Sequence, residues 1–166
     1  AFSDEAVAKV QLIKGRDDRK PISCIVADLA MAAEYAEVND AARELVEKFL
    51  PGPLTLILKK KPGVNSGIAR GMDTIAIRIP NNEFCLELAR TFGKPFTTTS
   101  ANLAGATPAA LPEEILAQIG EEGVDLVVNA GRLSTSLPST VVNVVSGFLS
   151  VVREGAIPKG DIVSVQ

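Results

Sequence analysis

The chain has 166 residues, 46% of them apolar and 22% charged, which is enough for one core of ordinary domain size and too little for a second. Seventeen Lys and Arg against twenty Asp and Glu leave a formal charge of -3, which excludes an overall cationic surface that would hold a polyanion by charge alone. Histidine is absent, excluding the usual Ser-His-Asp and Cys-His nucleophile systems and every zinc site built on imidazole.

Ser3 followed by Asp4 and Glu5 predicts a capped helix with acids in its first turn. Ala6, Val7, Val10 and Ile13 continue it at helical spacing, and Gly15 stops it beside Lys14 and Arg16. Ile22 to Val26 reads as a short buried strand, and Asp28 as the cap of the helix LAMAAEYA. A second capped helix starts at Asn39, with Ala42, Leu45, Val46 and Phe49 on one face. Pro51-Gly52-Pro53 ends it and turns the chain into a strand over Leu54 to Leu58. The Lys59-Lys60-Lys61-Pro62-Gly63 that follows suits either a solvated strand end or a contact to a phosphate backbone.

Thr74 to Pro80 alternates with period two, so the Ile side chains share one face and Thr74, Ala76 and Arg78 the other. Asn82 caps a helix running to Gly93, and Pro95 to Thr99 reads as a strand leading into Ser100-Ala101-Asn102. Leu111-Pro112-Glu113-Glu114 opens a short helix, and Asp125 to Asn129 reads as a strand. Ser139 to Val145 and Phe148 to Arg153 form a hairpin around Ser146-Gly147. Interleaved helices and strands with a hairpin predict an α+β, mixed α/β fold, in which helices flank a twisted sheet of parallel and antiparallel strands.

No apolar run approaches the roughly 18 residues that span a bilayer, since Asp28 interrupts Ile22 to Ala33, so no membrane partner is expected. Cys24 and Cys85 form no CxxC pair and indicate neither a metal knuckle nor a disulfide framework, which suits a reducing cytoplasm. The start, AFSDEAVAKV, lacks the features of a signal peptide and lacks Met, and reads as a segment beginning mid-protein.

Polar and basic residues collect at element ends: Lys14-Gly15-Arg16 with Arg19 and Lys20, Thr74 with Arg78, Thr97 to Asn102, Pro138-Ser139-Thr140, and Arg153-Glu154-Gly155. Mixed sheets place ligand crevices at such ends, so one cleft lined by cations and hydroxyls, taking an anionic ligand rich in acceptors, is expected. Lys14 and Arg16 flank a glycine that admits a phosphate closely, or simply complement a helix dipole. Four hydroxyls and an amide between Thr97 and Asn102 suit phosphate or ribose oxygens, or an ordinary turn. Arg78 suits a bidentate grip on a carboxylate, or a snorkelling sheet-edge position. No P-loop or Rossmann glycine pattern occurs, and Ser-Lys acyl transfer would need a lysine desolvated beside Ser100 or Ser139, with Lys14 or Lys94 brought there by folding.

Taken together, IKGRDDRKPI, PGPLTLIL, TIAIRIP, KPFTTTSANLAG, PSTVV and VVREGAI resemble, in content and order, the YrdC/Sua5 family of L-threonylcarbamoyladenylate synthases over most of residues 5 to 157. The resemblance implies a single YrdC-like domain over residues 1–166, with a cationic cleft in a twisted mixed sheet. It also implies that L-threonine, bicarbonate or CO2, and ATP carrying Mg2+ are converted to threonylcarbamoyl-AMP and pyrophosphate. The product would serve the N6-threonylcarbamoyladenosine modification of tRNA through downstream tRNA threonylcarbamoyl-transfer proteins.

By motif, the resemblance assigns Lys14, Arg16, Ser100 and Asn102 to the catalytic set. It assigns Arg16, Lys20, Thr74, Ser100, Asn102 and Arg153 to ATP, and Arg78, Thr98 and Ser139 to threonine. It implies no metal held by the protein itself. The family's Pro-Thr-Asp/Glu-Thr-Val-Tyr-Gly-Leu segment has no counterpart, Ala1 corresponding to the region just after it, so the domain reads as N-terminally incomplete. A histidine that many members carry falls here near Ile25. Two other readings stand beside the synthase: a module binding tRNA or double-stranded RNA, which the -3 charge and the few aromatics oppose, and the YrdC-like domain of a carbamoyltransferase.

Overall fold

The computed structural model describes residues 1–15, 21–134 and 136–165. Helix α1 (Asp4–Lys14) begins where the Ser3 side chain accepts the Ala6 N–H and ends at Gly15, whose φ of 54° lies in the left-handed region. The caps at Asp28, Asn39 and Asn82 repeat this chemistry for α2 (Leu29–Tyr35), α3 (Asp40–Phe49) and α4 (Glu83–Phe92). Strands β1 (Ser23–Ile25), β2 (Leu54–Lys59), β3 (Thr74–Arg78) and β4 (Phe96–Thr98) alternate with them. Helix α5 (Pro112–Ile119), the β5 (Thr140–Asn143) and β6 (Ser150–Arg153) hairpin and α6 (Lys159–Val163) complete the order.

The six strands form one sheet in the order β4-β1-β3-β2-β5-β6. Pairs β1·β3 and β2·β5 are parallel, and β1·β4, β2·β3 and β5·β6 are antiparallel, so the sheet is mixed as the interleaved pattern implies. Period-two alternation gives its faces different roles. Cys24, Leu54, Leu56, Leu58, Ile75, Ile77 and Val142 point to one face and pack with Ala32, Ala36, Ala42, Leu45 and Ile162 of α2, α3 and α6. On the other face α4 covers only one end, where Ala89 meets Ile25 and Ala27 beside Phe96. Beyond it Ser23, Ala76, Arg78, Ile57 and Asn143 are only half-buried around a buried Thr55, so that part of the face is open.

Three features depart from the sequence reading. Asp125 to Asn129 is not a strand: it pairs with no strand among the described residues, and Leu126 is 80% exposed. Its β-branched composition favours extended backbone, but a strand exists only where a neighbour takes up its N–H and C=O groups. The 3-10 turn at Gly67–Ala69 and helix α6 were also not expected, both being too short to show a period. None of the helices among the described residues is long and apolar enough to cross a membrane.

Leu45 is fully buried in the main core, so Leu45→Ala is expected to cost about 2–5 kcal/mol in urea denaturation. Leu126→Ala, which would be comparably damaging in a core strand, is expected to stay within about 0.5 kcal/mol of wild type.

Candidate active site

The polar residues singled out in the sequence fall into two groups and two outliers. The first group lies at the C-terminus of α1, where Lys14 is 6% exposed. Its Nζ donates to Ser100 O at 2.6 Å, to Asn102 O and to Asn102 Oδ1 at 3.1 Å, and stands 3.4 Å from Ser100 Oγ. Asn102 in turn donates from Nδ2 to Leu103 O and Ala106 O, and Ala104 N donates to Lys14 O. A charged amine is thus the centre around which the loop after β4 is wound, and Lys14, Ser100 and Asn102 are brought together. The Ser-Lys pair considered for acyl transfer does meet, with the lysine Nζ also donating to two carbonyls and an amide oxygen. Arg16 and Lys20, assigned to phosphate, and Arg19 beside them, lie outside the described residues.

The second group stands on the open face of the sheet. Arg78 ends β3 directly opposite Thr55 of β2, and Arg153 ends β6 opposite Val141 of β5. Arg153 reaches back to Ser139, with Nη2 donating to its carbonyl at 2.8 Å and to its Oγ at 3.3 Å. Ser139 Oγ lies 2.7 Å from Thr55 Oγ1, and both residues are buried. Arg78, Ser139 and Arg153 therefore form one cluster, and Arg153 stands with the residues assigned to threonine rather than with Lys14, Ser100 and Asn102.

The cluster is short of negative charge. Neither Arg78 nor Arg153 is in an ion pair among the described residues, and the buried Nε of Arg78 has no hydrogen-bond partner. Burial, reinforced by the positive charge of Arg153, lowers the pKa of Arg78 from its usual value. Both effects penalise the charged form and both are relieved when an anion arrives, so the cluster is built to take one.

Thr98 lies between the groups on β4, at the level of Ser23 and Ala76, with its carbonyl accepting from Ser23 Oγ. Thr74 is the outlier at the other end of β3, about 13 Å from Arg78 at ~3.3 Å per residue. It pairs with Lys59 and lines a surface cavity of about 710 Å³ with Lys60, Lys61 and Asn65. In that cavity Lys59 pairs with Glu37 at 3.0 Å and Lys60 Nζ donates to Asn65 and Ala69, so two of the three lysines are engaged within the protein. Neither cysteine is an activated nucleophile: burial pushes the Cys24 thiol up to about 12, and the Cys85 thiol is raised as well.

Thr55 escapes the sequence reading, whereas Thr140 belongs to the Pro138-Ser139-Thr140 segment that it expects to line the cleft. Thr55 is the polar member of PGPLTLIL, and only the β2·β3 register brings it opposite Arg78. Thr140 is fully buried and its Oγ1 accepts from Gly155 N and Ile157 N, each at 3.0 Å, while donating to Ile157 O at 2.6 Å. A Cβ on Gly155 would lie 2.1 Å from Pro138 O, so only glycine lets the chain after Arg153 cross the Pro138-Ser139 backbone. These two residues fasten Arg153 over Ser139.

Thr140→Val keeps the shape and strands two buried N–H groups and a carbonyl. It is expected to destabilise the protein by about 1–3 kcal/mol or more. Hydrogen exchange is expected to accelerate at the Gly155 and Ile157 amides before it does in the core strands.

Comparison with known proteins places this geometry in a family. The sequence model of the Sua5/YciO/YrdC family, described as "Telomere recombination", matches residues 1–155. A Methanocaldococcus jannaschii protein named "Putative threonylcarbamoyl-AMP synthase" is 42% identical over 158 residues, covering 95% of this chain and 73% of that protein. The threonylcarbamoyl-AMP synthase of Mus musculus is 33% identical over 162 residues, 93% of this chain and 57% of that protein. Among solved structures, Pyrococcus abyssi Sua5 complexed with L-threonine superposes with a TM-score of 0.88 at 27% identity, over 99% of this chain and 49% of that one. The chain thus spans about three quarters of the archaeal relative and only about half of the mouse and Pyrococcus proteins. With its fold and its sequence match in agreement, this chain belongs to the Sua5/YciO/YrdC family.

Proposed function

We propose that this chain is the synthase domain of a threonylcarbamoyl-AMP synthase, a nucleotidyltransferase that joins L-threonine, bicarbonate or CO2, and ATP with release of pyrophosphate. The observation that carries this reading is the Arg78, Ser139 and Arg153 cluster, in which a half-buried and an exposed guanidinium share the open face of the sheet with neither in an ion pair among the described residues. An amino-acid carboxylate supplies the missing charge. Arg78 takes it in this reading, with Ser139 and Thr98 as further threonine contacts.

The chemistry asks little of the protein as a nucleophile. The threonine amine takes up CO2 and loses a proton to give a carbamate. A carbamate oxygen then attacks the α-phosphorus of ATP, and the bond to the β-phosphate oxygen breaks as pyrophosphate leaves. The protein has to bring two anions together and stabilise the charge that develops on the leaving group, which positioning and fixed cations can do without histidine or a reactive thiol.

Ser100 and Asn102, wound around Lys14, and Arg16 and Lys20 would serve the nucleotide, as would Thr74; Lys14, Arg16, Ser100 and Asn102 would be the groups nearest the reacting phosphate. Arg153, assigned to ATP by motif yet bonded to Ser139, would stand where the carbamate meets the α-phosphate. Among the described residues no cluster of three Cys, Asp or Glu side chains could hold a metal, so Mg2+ would come with the triphosphate, bound by phosphate oxygens and water. The product would pass to tRNA threonylcarbamoyl-transfer proteins, in the cytoplasm. Direct tRNA binding is not needed for this reaction, and the acidic balance of the chain gives it no general support.

Calorimetric titration of each substrate tests the division of labour. Arg78→Ala is expected to weaken L-threonine binding about 10- to 150-fold, the equivalent of one charge-assisted hydrogen-bond pair at ~1.5–3 kcal/mol, with ATP affinity little changed. Lys14→Ala is expected to release the Ser100–Asn102 loop and weaken ATP instead. An Arg78→Ala protein impaired for ATP alone would contradict the assignment.

A further inference from the structure

The hydroxyl pair beneath the arginines has a directional logic. Thr55 is 4% exposed, and Ser139 Oγ, at 2.7 Å, is the partner of its hydroxyl among the described residues. Ser139 is 7% exposed and also receives Arg153 Nη2 on its Oγ at 3.3 Å. Each hydroxyl has one proton and two lone pairs. With one lone pair of Ser139 facing Arg153, the shared proton can be placed in two ways.

If Ser139 donates to Thr55, the Thr55 proton is left without an acceptor inside a buried strand, at a desolvation cost. If Thr55 donates to Ser139, both lone pairs of Ser139 are used and its own proton is turned outward, toward the face that Arg78 and Arg153 make cationic. A chain of donors running toward a bound anion is mutually polarising, and the guanidinium groups favour the same direction.

We propose that Thr55 is a positioning residue: it donates to Ser139 and so commits the Ser139 proton to an anionic oxygen of the ligand beside Arg78. For L-threonine as that ligand, the inference rests on the synthase reading above; for the anion-binding cluster as such, it does not.

The test titrates the full chain calorimetrically with L-threonine and, separately, with inorganic phosphate. Thr55→Val keeps the shape and loses the donor, whereas Thr55→Ser keeps the donor and loses the methyl group. Thr55→Val is expected to raise Kd about tenfold and Thr55→Ser to stay within about twofold of wild type. In a Ser139→Ala background Thr55→Val is expected to add less than about twofold, because its effect passes through Ser139. The reverse order, Thr55→Val neutral and Thr55→Ser weakened, would mark a packing role and overturn the proposal, as would a full Thr55→Val penalty without the Ser139 hydroxyl.

Hydroxyl-proton NMR of the wild type gives the same answer should Thr55→Val fail to fold. A Thr55 proton protected from exchange, with a Ser139 proton that shifts on adding phosphate, supports the donor direction, and a protected Ser139 proton indifferent to phosphate overturns it. Wild-type protein that binds phosphate but not L-threonine would sink the synthase reading alone, the Thr55 comparison then being made on phosphate. Binding of neither would overturn both.

Discussion

Two guanidinium groups on one face of a sheet, with no carboxylate among the described residues to neutralise them, are the constraint around which this domain is arranged. Arg78 loses hydration by its burial and is repelled by the exposed Arg153 beside it, so the fold must hold the two in place by other means. Arg78 is carried on a central strand whose alternate residues, Ile75 and Ile77, are locked in the main core. Arg153 is carried on an edge strand that only the half-buried Val151 ties to the core, and its place is set by hydrogen bonds to Ser139 and by the Thr140 and Gly155 contacts behind it. The stability of the sheet thereby holds two unpaired positive charges together, an arrangement whose electrostatic cost an anion would relieve.

The other end of the cleft uses the opposite device. Lys14 is also a buried cation, but its charge is spent on protein oxygens, two carbonyls and an amide among them. It organises the Ser100–Asn102 loop, whereas the arginines are in no ion pair among the described residues. One cation at the end of α1 thus builds a loop while two on the sheet keep their charge unpaired there, and their partners in the structure distinguish them where residue type does not.

Much of this was legible in the sequence. Ser3, Asp28, Asn39 and Asn82 announced their helices because capping is local chemistry, and TIAIRIP declared which way Arg78 faces because a strand has a strict period. Asp125 to Asn129 misled because β-propensity describes one strand while a sheet needs two. Thr55 goes unseen for a related reason: it owes its role to Ser139, many residues away, and only the register of β2 with β3 and β5 brings that partner within reach. Lys14 stands out in the sequence, but no spacing rule could tell that it turns inward to the loop after β4.

The central claim is that this cleft joins two anions and expels pyrophosphate with no protein nucleophile. Pyrophosphate release, followed in steady state with ATP and Mg2+ while L-threonine and bicarbonate are omitted in turn, tests it most directly. The account requires release that depends on both, with threonylcarbamoyl-AMP appearing in equal amount. Release from ATP that is indifferent to L-threonine, or none from folded protein that binds both ATP and L-threonine, would contradict it.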